Sequence, residues 1–287
     1  MTFSPALQAW EHSGDYRELK GQRHFVQVAG SGPVLLLLHG FPTSSADWAP
    51  LWPQLTAHFR CYAIDFLGFG LSAKPKRHHY SIFDQADRVE ALLRAEGVER
   101  YHILAHDIGD TVAQELLARQ LDGSGHGVID RVCLLNGGLF PETHRALLTQ
   151  KLLASPLGPL LARLMRRDVF IERLQAACCH QLPDEAVSDR GALLRHNDGH
   201  LRMPQLIGYM AERLQQRARW VGALQHSRCP IRVVAGADDP ISGAHMIARS
   251  RELIAQPDAF VLPKLGHYPQ VERPEQVWAV ISSFLIG

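Results

Sequence analysis

The segment YHILAHDIGDTVAQELLAR, residues 101–119, admits few folds. Tyr101–Ala105 is an apolar run of strand length, His106-Asp107-Ile108-Gly109 follows it, and Asp110–Arg119 has a helical pattern. A strand that enters a helix through one tight turn strains the central residue, whose side chain stands clear of the sheet only if its neighbours are small. Ala105 and Gly109 lie two positions either side of Asp107. A serine at such a centre attacks acyl carbon. A carboxylate is suited instead to displacing a leaving group from alkyl carbon, so cleavage of a C–O or C–halogen bond is the chemistry this turn predicts.

The rest of the chain alternates strands and helices around that segment. Tyr16–Lys20 and His24–Val28 read as a hairpin turning at Gly21-Gln22. Val34–Leu38 is uniformly apolar, as a strand buried on both faces requires. Ala46–Phe59 reads as a helix, Tyr62–Asp65 as a strand, Ser81–Glu96 as a helix and Arg131–Leu135 as a strand. From Phe140 to Gly222 the strand signal is absent: the segment is helical and punctuated by Pro156, Pro159, Pro183 and Pro204. Strands return at Ile231–Ala235 and Ala259–Pro263, with helices at Ala244–Ile254 and Glu275–Leu285. The pattern predicts an α/β fold, a mostly parallel doubly wound sheet built from residues 1–139 and 223–287, with a helical cap inserted at 140–222.

Composition excludes several alternatives. Thirty Lys and Arg against 29 Asp and Glu give a net charge of +1, so charge alone offers no case for nucleic acid or an anionic membrane. The longest apolar stretch, Pro33–Leu38, is too short to span a bilayer, and the N-terminal residues lack a signal-peptide pattern. Cysteines 61, 133, 178, 179 and 229 show no CxxC spacing, and reduced thiols in a cytoplasm are the simplest reading. Among sixteen histidines no metal-ligand spacing occurs, so neither metal nor cofactor is expected.

Three further motifs follow strands, where an open α/β sheet builds its site. His39-Gly40-Phe41-Pro42 follows Val34–Leu38, Gly236-Ala237-Asp238-Asp239-Pro240 follows Ile231–Ala235, and Gly266-His267-Tyr268-Pro269 follows Ala259–Pro263. A strand-end carboxylate can orient a histidine; the spacing favours Asp239 over Asp238, which reads as a turn residue. His39 and His106 read as supports around the site, and Asp65 as the residue holding the Gly68–Gly70 turn.

With these motifs in order, the chain resembles the α/β-hydrolase superfamily over nearly its whole length, and within it the aspartate-nucleophile branch of epoxide hydrolases and haloalkane dehalogenases. A narrower resemblance, to mesoderm-specific transcript proteins, rests on His106–Leu117, Asn136–Leu153, Asn197–Gly199, Ala218–Leu224 and His267–Gln270. The branch implies that Asp107 forms an alkyl-enzyme ester and that His267, oriented by Asp239, activates water to hydrolyse it. Main-chain N–H groups of Phe41 and Ile108 would form the oxyanion hole.

The leaving group depends on what stabilises it. Haloalkane dehalogenases hold halide with Trp or Asn where this chain has Ile108 and Phe41, whose side chains donate no hydrogen bond. Nor do Ile108, Gly109, Asp110 and Thr111 supply the arginines that fluoroacetate-type enzymes carry there. Epoxide opening needs an acid, usually a cap tyrosine, and Tyr209 is the one tyrosine between Phe140 and Gly222. His180, His196 or His200 would have to serve as a second donor. Epoxide hydrolysis leads, dehalogenation is the alternative, and a non-catalytic binding scaffold is the rival from another class. The expected partners are water and a small hydrophobic substrate; a homo-oligomer is left open. Leu147, Leu148, Leu152, Leu153, Leu160, Leu161, Leu164, Met165 and Phe170 are expected to pack the cap and wall its cavity. Arg166, Arg167, Arg217 and Arg219 are read as solvated faces of the cap.

Overall fold

In a computed structural model, which describes residues 3–287, the apolar runs assemble into one eight-stranded sheet. Its strands are β1 (Asp15–Leu19), β2 (Gln22–Ala29), β3 (Val34–Leu38), β4 (Arg60–Ile64), β5 (Arg100–His106), β6 (Val128–Leu135), β7 (Ile231–Gly236) and β8 (Asp258–Leu262). They lie in the order β1-β2-β4-β3-β5-β6-β7-β8, antiparallel at β1–β2 and β2–β4 and parallel elsewhere. From β3 the chain passes first to β4 on one side and then to β5 on the other. The crevice between β3 and β5 is therefore the topological switch point, where α/β sheets place their ligands. Side chains alternate between two cores: Leu35 and Leu37 join Leu104 and Val234 on one face, whereas Leu36 and Leu38 join Ile103 and Val112 on the other. A strand covered on both faces needs this uninterrupted apolar run.

Helices α1 (Pro5–Ser13), α2 (Trp52–Thr56), α3 (Ile82–Ala95) and α4 (Ile108–Asp122) precede the long insert, and α12 (Ala244–Leu253), α13 (Pro269–Glu272) and α14 (Pro274–Leu285) follow it. Between β6 and β7 the chain forms only helices: α5 (Leu148–Leu153), α6 (Gly158–Leu164), α7 (Arg167–Ala176), α8 (Asp184–Arg195), α9 (Met203–Leu206), α10 (Tyr209–Gln215) and α11 (Arg217–Gln225), with a 3₁₀ stretch at His196–Arg202.

Several expectations need correction. The single helix expected at Ala46–Phe59 is a 3₁₀ stretch, Ser45–Leu51, followed by the short α2. Pro50 and Pro53 withhold the N–H groups that a continuous helix would need. The hairpin turns at Lys20-Gly21, one residue before the expected pair, with φ of 49° and 71°. Those two left-handed residues match the twist of the flanking strands. Arg219 is only partly solvated: its guanidinium binds the buried Glu115 of α4, whose Oε2 also accepts from Trp220 Nε1 at 2.9 Å. This cluster fastens the end of the insert to α4, the helix that follows Asp107.

The insert's leucines divide. Leu147, Leu153, Met165 and Phe170 wall a cavity as expected, but Leu148, Leu152, Leu160 and Leu164 point to solvent. On α6 the inward positions belong to Gly158 and Ala162, which leaves the larger side chains outside.

Candidate active site

The strand-to-helix turn holds Asp107 at φ 49°, ψ −105°, a left-handed conformation uncommon for a side-chain-bearing residue. Its neighbours enforce it. Asp107 N–H donates to Leu135 O of β6 at 3.1 Å, and a side chain at Gly109 would collide with the backbone of Leu38. The carboxylate is 2 % exposed, and its Oδ2 accepts from Phe41 N–H, at the end of β3, at 2.9 Å. Ile108 begins α4, so its N–H lies outside the helical ladder. Burial would raise the Asp107 pKa, but the charges of His267 and Arg213, with the Phe41 hydrogen bond, outweigh it and hold the carboxyl below the ordinary range. Asp110, one turn on, is pushed well above that range by burial and then by the Asp107 charge. The elbow thus carries one negative charge rather than two.

His267 follows β8 and is also buried. Its Nδ1 meets Asp239 Oδ2 at 2.9 Å. Burial disfavours the charged ring, yet Asp239, its hydrogen bond and the Asp107 charge prevail, and the pKa is pushed up to about 9. Asp239 accepts further from Asn136 Nδ2 at 2.7 Å and from Ile241 N–H at 2.7 Å; against burial, the His267 charge and hydrogen bond, with these two, hold its carboxyl below the ordinary range. Asp238 is exposed, so only one of the two adjacent aspartates reaches the histidine.

The two flanking histidines act through hydrogen bonds. His106 Nε2–H donates to the main-chain oxygen of His267 at 2.7 Å, and burial lowers its pKa to about 4, so the ring is neutral. His39 donates from Nδ1 to Gly40 O at 2.8 Å and accepts at Nε2 from Phe66 N–H at 3.1 Å, fixing the turn that aims the Phe41 N–H. Asp65 accepts from Ser45 N–H and Leu71 N–H, both at 2.7 Å, in line with a structural part in its glycine turn.

Sequence reasoning missed three residues. Asn136, at φ 48° after β6, donates to Asp239 and to Gly266 O and accepts from Gly236 N–H, tying its own loop to the two that carry the acid and the base. Arg213, 2 % exposed on α10, donates from Nε to Thr111 Oγ1 at 2.7 Å and from Nη2 to Asp107 O at 3.0 Å, with Nη2 3.6 Å from Asp107 Oδ1. Its Nη1 is buried without a partner. His144 has both ring nitrogens buried and unpartnered, and burial together with Arg213 lowers its pKa to about 4. A Cβ on Gly138 would collide with Arg213 Nη1 and lie 3.0 Å from His144 Nδ1, so glycine there leaves both groups uncovered. No local signal marks Arg213 in AERLQ, which reads as a solvated helix face.

Tyr209 opens α10, one turn before Arg213, with its hydroxyl buried and unpartnered; the guanidinium lies 4.6 Å from the ring centroid. Of the histidines considered as second donors, His180 lies beside Arg273, His196 packs near Phe3, and His200 lines a separate crevice under Met165 and Arg195. None lines the cavity that reaches His267. That cavity encloses about 90 Å³ and is walled by Phe41, Leu153, Phe170, Leu174, Met203 and Ile241, with His267 and Tyr268 at one end.

Among the described residues no cluster of His, Cys, Asp or Glu could hold a metal, and no helix is long and apolar enough to cross a membrane. The cysteines are all unpaired, adjacent Cys178 and Cys179 included.

This chain is similar to the mesoderm-specific transcript homolog protein of Bos taurus, at 46% identity over 94% of this chain and 85% of that protein. A haloalkane dehalogenase from Bradyrhizobium elkani superposes with a TM-score of 0.80 over 95% of this chain and 97% of its own, at 24% identity. An epoxide hydrolase superposes with a TM-score of 0.75 over 94% of this chain and 99% of its own, at 18% identity. Those two structures speak to the fold alone. The alpha/beta hydrolase fold family matches residues 33–274, a span that runs from β3, whose following turn holds the Asp107 carboxylate, past the loop that carries His267 to the start of α14, and to that family this chain belongs.

Proposed function

We propose that this hydrolase opens small hydrophobic epoxides to diols through an ester on Asp107, beneath a helical cap formed by residues 140–222. The observation that carries the reading is the unequal treatment of the two carboxylate oxygens. Oδ2 is held by Phe41 N–H, whereas Oδ1 faces Arg213 at 3.6 Å and accepts no N–H among the described residues. Oδ1 forms the bond to carbon, the C–O bond breaks, and its electron pair stays on oxygen, which takes the Tyr209 proton. Arg213, over the ring, stabilises the resulting phenolate.

Esterification removes the Asp107 charge that supports the imidazolium, so the His267 proton is released and Tyr209 is restored. Neutral His267, held by Asp239, then takes a proton from water. The hydroxide adds to the ester carbonyl, charge gathers on Oδ2 under the N–H groups of Phe41 and Ile108, and collapse expels the alkoxide, which takes the proton back from His267. Asp107 leaves this step as the acid and returns its proton to His267. A carbon–halogen bond is the second reading, favoured by the unpartnered Arg213 Nη1, a cationic donor that suits halide as well as oxygen.

The test uses His267→Gln with styrene oxide and with 1-bromobutane, followed by mass spectrometry of the peptide containing Asp107. The expected result is a styrene-oxide adduct on Asp107 that does not turn over. An adduct from bromobutane alone selects the second reading. Labelling elsewhere, or undiminished turnover, removes Asp107 from the chemistry, and silence on both substrates favours a binding scaffold.

A further inference from the structure

Eleven large hydrophobic side chains are exposed among the described residues, and six of them fall between positions 148 and 169. Leu148, Leu152, Leu157, Leu160, Leu164 and Val169 are 42 to 71 % exposed. Single exposed leucines need no explanation, but a cluster marks an interaction surface. The six lie on or beside three consecutive helices: α6 packs on α5, and α5 and α7 wall the same cavity through Leu153 and Val169. The apolar outside of the insert therefore runs into the apolar mouth of the site.

Charge selects the occupant. Residues 148–173 hold five cations, Lys151, Arg163, Arg166, Arg167 and Arg173, against Asp168 and Glu172, within a chain whose net charge is only +1. Lys151, Arg163 and Arg173 are exposed and make no salt bridge among the described residues. The balanced total conceals this local excess, and so the sequence offers no case for a membrane. A second copy docking by the same face would set these cations against themselves, because a two-fold interface pairs a patch with its own image. Leucines ringed by Lys and Arg suit an anionic lipid surface. We propose that this face of the insert rests on anionic lipid surfaces, so that an apolar substrate enters the site from the lipid.

The test is co-sedimentation of the full chain with phosphatidylcholine vesicles containing phosphatidylglycerol, compared with vesicles of phosphatidylcholine alone. Binding is expected to the anionic vesicles and to weaken with salt. The double variant Leu160→Glu/Leu164→Glu should lower partitioning by roughly a hundredfold or more. These side chains are exposed, so thermal melting should not move, and Leu160→Ser/Leu164→Ser provides a milder second variant. Hydrolysis of a dissolved epoxide should be unchanged in both, which separates this inference from the assignment of Asp107. Wild-type protein left in the supernatant, or vesicle binding indifferent to these leucines, overturns the proposal. So does concentration-dependent dimerisation in lipid-free solution that the same variants abolish, since the patch then belongs to a second copy.

Discussion

The buried Asp239–His267 pair and the helices above it treat polar groups in opposite ways. Around Asp239 and His267 the charges are matched: both Asp239 oxygens are hydrogen-bonded and His267 is held through its ring, its N–H and its carbonyl. On the insert's side the hydroxyl of Tyr209, the Nη1 of Arg213 and both nitrogens of His144 are buried without partners. Buried polar groups ordinarily find partners, and leaving one unpaired costs about 1–3 kcal/mol. A matched region fixes geometry, whereas an unmatched one is ready for a group brought by the substrate. In the proposed reaction the sheet supplies the reacting atoms and the insert supplies what receives the leaving group.

The sharpest way to break this comparison is Arg213→Gln. If Arg213 supports the developing negative charge, the rate of adduct formation on Asp107 should fall by about a hundred- to a thousandfold. The loss should grow as ring substituents make the leaving oxygen more basic, whereas Arg213→Lys should recover part of it. An equal loss across the substituent series would reduce Arg213 to a brace for the elbow.

Next in size is the pH dependence of stability. The folded pKa of His267, about 9, lies above its ordinary value of 6.5. Its stabilising contribution is therefore full below pH 6.5 and is lost as pH rises through about 9. Urea unfolding of the wild type and of His267→Gln should show the wild type's advantage shrinking over that window by an amount on the order of a few kcal/mol. Parallel pH curves for the two proteins would count against the buried Asp239–His267 pair.

The smallest effect is expected at the neighbouring carboxylate. Asp238 is exposed, so Asp238→Ala should change stability by no more than about 0.5 kcal/mol and leave turnover intact. A large loss of activity there would exchange the roles of the two aspartates.

Asp107 and His267 were legible because the first stands directly after an apolar strand and the second within a few residues of one, and strand ends are visible as the edges of hydrophobic runs. The choice of Asp239 over Asp238 rested on spacing alone; a hydrogen bond to the ring now distinguishes them. The misplaced helix at Ala46–Phe59 shows where periodicity loses to chemistry, since two prolines interrupt an otherwise acceptable pattern. Asn136 carries no sequence signal for its role, because its three partners lie at the end of β7 and on the loops after β7 and β8.

The order of strands and helices, the fold class and the carboxylate in the tight turn are properties of local pattern, and the chain specifies them without help. Burial of Arg213, its approach to Asp107 and the outward leucines of α6 depend on how the insert settles against α4 and β5. An arginine in AERLQ becomes part of a site only when another element excludes water from it, and a leucine becomes a surface only when Gly158 and Ala162 take the inner positions. Those outcomes arise from packing between distant segments, and packing has no local signature.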